Sequence, residues 1–392
     1  MHTTNLTINN IIKIIILLII FSLPLSTTIT NVFLTLFMLL WIVEGNYKTK
    51  LYNSWQCNVC IVSILMLISL AIGSLYSYAT WLEIIMFLKK PYKLIYIPFL
   101  IYYFKDPDQR KWTINALIIS STITTIFGLL HNSYQPFKNS IDTSLLVTIA
   151  AFLLLHKIEK NNKLYINIII LITSLFNIFY LFYISQGRTA QLIFLLLMPL
   201  FFIQKMKNYD FNKIAIILIA LVLIFSSLFS SGLQNNWRAV ITQYKEYIDH
   251  PDHHSRNSIS ERLTFYKNSL ILIKQKPWLG WGTASFIPAY KQLAAEKNIL
   301  ATTNPHNEYL LWGTQLGIVG VSLLLWWLYS LFKISFIIPN YEKYMLQGVT
   351  LCIAIGSLAN SWLMDFVSGH VFVMLIAISL GTLPDVKPQR IN

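Results

Sequence analysis

Three side chains able to hold an anion or take a proton stand out from an otherwise apolar chain. They are Arg188 in YISQGRTAQLIF, Arg262 in SERLTFYKNS, and His306 in NPHNEYLLWGTQLGIVG. A guanidinium grips phosphate oxygens in pairs, and a histidine titrates near working pH, so it can accept a proton from a hydroxyl. Gly187, just before Arg188, leaves the backbone open to a bulky anion, and the helix start that follows favours negative charge. Each residue also has a plainer reading. Arg188 could snorkel from a helix end, Arg262 could be an exposed first-turn charge, and a lone histidine is more often structural. Asn307 and Glu308 follow His306, and a helix N-terminus stabilises a carboxylate, so capping alone would account for them.

The elements that must position these residues are membrane helices. Of 392 residues, 55% are hydrophobic and 12% charged, and repeated apolar runs match the roughly 30 Å hydrocarbon core of a bilayer. The expected fold is all-α and polytopic, with about 12 transmembrane helices: 9–25, 27–43, 56–78, 83–104, 112–131, 141–156, 164–184, 189–204, 213–232, 308–331, 344–363 and 366–383. The segment 83–104 is the weakest of these, interrupted by Lys89, Lys90, Pro91 and Lys93. The first run, Ile8 to Leu25, lacks a small-residue cleavage site and reads as a retained span. The chain then divides into helices over 1–232, one long hydrophilic loop over 233–307, and helices plus a short tail over 308–392.

A net charge of +14 is expected from basic cytoplasmic connectors rather than from nucleic-acid binding, since no basic helix or RNA motif accompanies it. Lys48 and Lys50; Lys105, Arg110 and Lys111; Lys157, Lys160 and Lys163; Lys205, Lys207 and Lys213; and Lys387 with Arg390 fall on one side. The positive-inside bias therefore places both termini in the cytoplasm and the 233–307 loop outside. Lys89, Lys90 and Lys93 break the bias, falling on the outer side.

Within the loop, the apolar spacing from Leu263 to Ile273 predicts an amphipathic helix opened by Ser260 and Glu261. Pro277, Gly280 and Gly282 then mark turns among aromatics, where Trp278 and Trp281 could stack on sugars or sit in an interfacial belt. His250, His253 and His254 with Asp249 and Asp252 lack the spacing of a zinc motif, so no metal is expected. His131 and His156 sit at span ends and read as interfacial. Cys57, Cys60 and Cys352 read as small apolar filler.

This order of features resembles the O-antigen ligase family and its relatives, the O-antigen polymerases and protein O-oligosaccharyltransferases. An H-N-x-x-L…G-x-x-G signature falls on His306, Asn307, Leu310, Gly317 and Gly320. An E-R…P-W-L-G-x-G pattern falls on Glu261, Arg262, Pro277, Trp278, Leu279, Gly280 and Gly282. The specific likeness runs over about 188–320.

The resemblance implies a GT-C-like architecture in the bacterial inner membrane, with the active site in the periplasm. It implies an inverting, metal-independent, cofactor-free transfer of a glycan from undecaprenyl diphosphate to lipid A–core. His306 would be catalytic, and Arg188 and Arg262, helped by Lys89, Lys90 or Lys93, would bind the donor diphosphate. Asn307, Glu308, Gly187 and Trp278 would support them. A polymerase or a protein glycosyltransferase shares this donor chemistry. The short tail after the last apolar run favours a ligase over the latter. A lipid-linked glycan transporter fits less well, because the spans carry almost no charge at the bilayer midplane.

Overall fold

Among the described residues, two mainly apolar helices are buried on every side, as the innermost helices of a bundle are. In Ser140–His156 every residue from Asp142 onward is buried, and in Phe366–Leu380 every residue from Val367 onward is buried. The helix Asn340–Gly356 packs against both of them. The computed structural model describes residues 2–52, 54–133, 135–159, 162–206, 231–249 and 257–384, and among these every regular element is helical.

In chain order the principal helices are α1 (His2–Ser22), α2 (Thr27–Glu44), α3 (Asn58–Gly73), α4 (Trp81–Leu88), α5 (Pro107–Leu130), α6 (Ser140–His156), α7 (Leu164–Phe179) and α8 (Arg188–Met206). The polar segment contributes α9 (Ser231–Asp249), α10 (Ser258–Gln275) and α11 (Phe286–Lys297). Then come α12 (Glu308–Ser335), α13 (Asn340–Gly356) and α14 (Phe366–Leu380). Local chemistry sets the starts. The Asp106 carboxylate accepts from Asp108 N at 3.0 Å ahead of Pro107, and Asn139 Oδ1 accepts from Asp142 N at 2.8 Å.

Among the described residues, six helical stretches are long and apolar enough to cross a bilayer: Thr27–Glu44, Asn58–Tyr76, Pro107–Leu130, Leu164–Ile184, Arg188–Lys205 and Glu308–Ser335. Thr7–Ser22, Ser140–His156 and Phe366–Leu380 are shorter apolar helices. The multi-pass helical character expected from the sequence is thus present. The expected helix over 213–232 falls almost wholly outside the described residues, as do His250, His253, His254, Lys387 and Arg390.

Two expected spans differ from the sequence pattern. The 83–104 stretch is broken into α4, a 3-10 turn at Pro91–Ile95, a short helix at Tyr96–Leu100 and a further turn at Tyr103–Lys105. Pro91 and Pro98 each remove a backbone donor, and Ser54 Oγ donates to the Pro98 carbonyl at 2.9 Å, fixing the irregular run. The 344–363 stretch leaves helix at Gly356, whose Cα lies flat against the Trp362 ring. The following residues, 357–365, cross the start of α12.

That start is itself a break. Gly317 has φ +59 and ψ −145 inside α12, and a Cβ there would sit 2.5 Å from the Pro277 and Trp278 carbonyl oxygens. The loop after α10 enters at this point and satisfies the groups the break frees. Trp281 N donates to Thr314 O at 2.9 Å, Gly282 N to Gln315 O at 2.8 Å, and Ile318 N to Pro277 O at 2.8 Å. Gly280 (φ +67) allows the same close approach, since its missing Cβ would meet Gln315 O at 2.5 Å. The P-W-L-G-x-G and G-x-x-G patterns are therefore two halves of one interlock.

Candidate active site

Arg188 begins α8 immediately after a tight turn. At the end of α7, Tyr180–Ile184 form a π-turn that closes with Ser185 N donating to Tyr180 O at 2.9 Å. The amide of Gln191 donates to Leu181 O at 3.0 Å, so the irregular backbone is paired. Gly187 packs against the Ser144 side chain of α6, and its N–H donates to Ser185 Oγ at 3.1 Å. Its small size therefore serves contact between the turn and α6, while its backbone still borders the cavity described next.

That cavity has a volume of about 410 Å³. Gln186, Gly187 and Arg188 form one wall, Trp237 and Val240 of α9 another, and Arg262 of α10 a third. Ile141, Leu192, Ile355 and Leu358 make the rest largely apolar. Both arginines thus face one space, contributed by helices 74 residues apart at their cation positions (262 minus 188). Arg188 Nη1 is buried with no hydrogen-bond partner among the described residues. Burial, and then the Arg188 charge, hold the Arg262 guanidinium below its ordinary range, partly offset by Tyr266. Two like charges pointing into one low-dielectric space form a site that an anion would relieve.

Helix α10 starts one turn earlier than Ser260 suggests, because Asn257 Oδ1 accepts from Ser260 N at 2.9 Å. Arg262 and Tyr266 then fall four residues apart on one face. Tyr266 Oη donates to His306 O at 3.1 Å and to Leu358 O at 2.8 Å.

His306 has φ +53, a left-handed conformation unusual for a side chain of its size. The bonds around it specify that conformation. Asn304 Oδ1 accepts from His306 N at 2.9 Å and from Ser361 Oγ at 2.8 Å, turning the chain about Pro305, while Tyr266 holds the carbonyl. The imidazole lies half-buried against Phe265, ring centroids 6.4 Å apart and 22° from parallel. Among the described residues it accepts or donates no hydrogen bond through the ring. Burial first, and the Arg262 charge second, lower its pKa from the ordinary histidine value, favouring the neutral ring.

Asn307 and Glu308 do not touch the imidazole. Asn307 caps α12, accepting from Leu310 N at 3.0 Å, and its amide donates to Leu358 O at 3.0 Å. Glu308 is fully buried, accepting from Trp312 Nε1 and from Leu363 N, each at 3.1 Å. Both therefore bind the start of α12 to the 357–363 segment.

The three lysines separate. Lys89 and Lys90 are exposed and do not line the cavity. Lys93 is buried, its ammonium donating to Asp365 O, with the carboxyl groups of Asp365, Glu308 and Asp142 within electrostatic reach. Trp278 is 75% exposed at the interlock and away from the cavity lining. Trp281 is committed elsewhere, its Nε1 donating to Leu272 O at 2.9 Å and its ring 4.2 Å from Lys276 Nζ. The side-chain reading missed Tyr266, Asp142 and Asp365. Only Tyr266 carried a usable signal, its four-residue offset from Arg262.

Residues 172–325 match the family described as O-Antigen ligase. That range holds the turn at Arg188, the helix of Arg262 and the interlock around Gly317, so the chain's resemblance to the O-antigen ligase family is borne out. A protein of Haemophilus influenzae, described as an uncharacterized protein, is 24% identical over 281 residues, covering 66% of this chain and 68% of its own.

Proposed function

We propose that the protein is an O-antigen ligase: an inverting glycosyltransferase that moves a glycan from undecaprenyl diphosphate to a hydroxyl of lipid A–core. The reading places the protein in the bacterial inner membrane, both termini cytoplasmic and the 233–307 segment periplasmic. The observation that carries it is the convergence of Arg188 and Arg262 on one apolar-walled cavity, with His306 beside Arg262. A diphosphate leaving group needs positive charge on its departing oxygens, and two desolvated guanidiniums supply it without a proton or a metal. The apolar walls suit the first part of a prenyl tail.

His306, neutral and strained into position, accepts the proton of the acceptor hydroxyl. The acceptor oxygen forms its bond to the anomeric carbon as the carbon–oxygen bond to the diphosphate breaks. Attack from the face opposite the leaving group inverts that carbon. Undecaprenyl diphosphate leaves with the bonding pair, held by the arginines.

The test is transfer by purified protein, with a chelator present, from an undecaprenyl-diphosphate-linked glycan to rough lipopolysaccharide, comparing wild type with His306→Ala and Arg188→Ala. Glycan on lipopolysaccharide with wild type alone supports the ligase. A glycan lengthening on its carrier instead would make the protein a polymerase, and transfer to a peptide hydroxyl a protein glycosyltransferase. Movement of intact donor between leaflets without transfer would make it a transporter.

A further inference from the structure

Helix α4 is eight residues long, about 12 Å, too short to span a bilayer. Its sequence WLEIIMFL is divided by face. Ile84 is buried and Phe87 and Leu88 pack on the core, while Trp81 (68%), Leu82 (68%), Ile85 (54%) and Met86 (60%) are exposed. The exposed stripe runs directly into exposed Lys89 and Lys90. An apolar face ending in paired cations is the pattern of a helix lying at a lipid headgroup boundary.

The helix is held at the end of the molecule that carries His306. Thr80 and Glu83 form a reciprocal cap, with Thr80 N donating to Glu83 Oε2 at 2.8 Å. The chain entering it is tied to the polar segment, Tyr78 N donating to Trp281 O at 3.2 Å and Tyr78 Oη to Gln292 Oε1 at 3.1 Å. The chain leaving it turns inward through Pro91 to bury Lys93 against Asp365, close to Glu308, two residues from His306. The exposed lysine pair therefore neighbours the mouth of α12 without entering the arginine cavity.

Taking the ligase reading as its basis, we propose that α4 and the lysine pair dock the acceptor, a phosphorylated glycolipid. Its acyl chains lie along Trp81, Leu82, Ile85 and Met86, and its anionic groups pair with Lys89 and Lys90. Donor and acceptor then reach His306 from separate surfaces, one cationic cavity for the diphosphate and one cationic helix end for the acceptor phosphates. Charge complementarity favours an anionic lipid over a neutral one, and the cavity already holds its own cations for the donor.

The experiment measures binding without donor. Wild type and Lys89→Gln/Lys90→Gln are placed in phosphatidylcholine nanodiscs and titrated with labelled rough lipopolysaccharide, with its chemically dephosphorylated form, and with phosphatidylglycerol. The double variant is expected to bind the phosphorylated acceptor roughly tenfold more weakly, and the two proteins to bind the dephosphorylated form alike. Equal binding of the phosphorylated acceptor by both proteins would overturn the proposal. So would an equal loss toward phosphatidylglycerol, which marks general attraction to anionic lipid. Because no transfer is scored, an absence of ligase activity would remove the functional reading and leave this result intact.

Discussion

The Tyr266 phenol shares its proton between the carbonyls of His306 and Leu358, at 3.1 Å and 2.8 Å. One hydroxyl thus couples α10, the mouth of α12 and the segment after α13, and holds His306 at φ +53. In Tyr266→Phe the imidazole keeps its identity and loses its clamp. We expect kcat to fall by about tenfold, with a stability loss of about 1 kcal/mol for one net hydrogen bond. Transfer kinetics beside a thermal melt separate the two; an unchanged kcat would remove Tyr266 as a positioning residue.

Replacing either cavity arginine by alanine should reduce kcat/KM for the donor by roughly 10²–10³-fold, the scale of one lost transition-state donor group. Lysine should restore little, since it offers a point charge in place of a planar fork. Initial-rate measurements on Arg188→Lys and Arg262→Lys check this, and full activity in either would contradict bidentate phosphate binding.

Acid pH should expose His306. The ring works as a base only when unprotonated, and burial with Arg262 nearby holds its pKa below 6.5. The acid limb of kcat/KM should therefore lie below pH 6.5. Bound diphosphate adds negative charge that favours imidazolium, so the limb of kcat should lie at higher pH than that of kcat/KM. Coincident limbs, or an acid limb retained in His306→Ala, would point to another group.

Gly317→Ala should unseat the interlock. The alanine Cβ adds about 1–3 kcal/mol of backbone strain at φ +59 and also meets the Pro277 carbonyl. A lowered melting temperature with new proteolytic cleavage near 277–283 is expected. Unaltered melting would mean that the loop yields at no cost.

Glu308→Ala should destabilise the protein more than any variant above, by about 3 kcal/mol or more, because it strands Trp312 Nε1, Leu363 N and the neighbouring Lys93 charge in a buried site. Glu308→Gln retains an acceptor oxygen and should fall between that variant and wild type. Thermal unfolding in detergent ranks the three, and equal melting of both variants would count against this account.

Continuous apolar runs made the long helices legible, because the lipid core requires length and hydrophobicity and little else. The 357–365 segment was not legible in this way: Gly356 and Trp362 sit in an apolar stretch, and their close contact at the end of α13 is one that no periodicity encodes. The Lys93 cluster escaped for a related reason, since Asp142 of α6, Glu308 at the start of α12 and Asp365 just before α14 meet only in the fold. At the site, Arg188, Arg262 and His306 were conspicuous as costly polar groups in an apolar chain. Asn307 and Glu308 were expected to brace the imidazole, yet their side chains turn toward Leu358, Trp312 and Leu363 instead.

The severed α12 has a consequence for how the protein meets membranes of different thickness. Above Gly317 the helix is bonded to Trp281 and Gly282, and below it Ile318 is bonded to Pro277. Both sides of the break are thus bonded to one loop, so a change of tilt in 318–335 reaches the upper half through Pro277 and its neighbours and not along an unbroken helical ladder. The lower half is fixed to α3, Trp327 Nε1 donating to Ser63 Oγ at 2.9 Å, so its tilt is set with that helix, while the upper half keeps its registration with the polar helices.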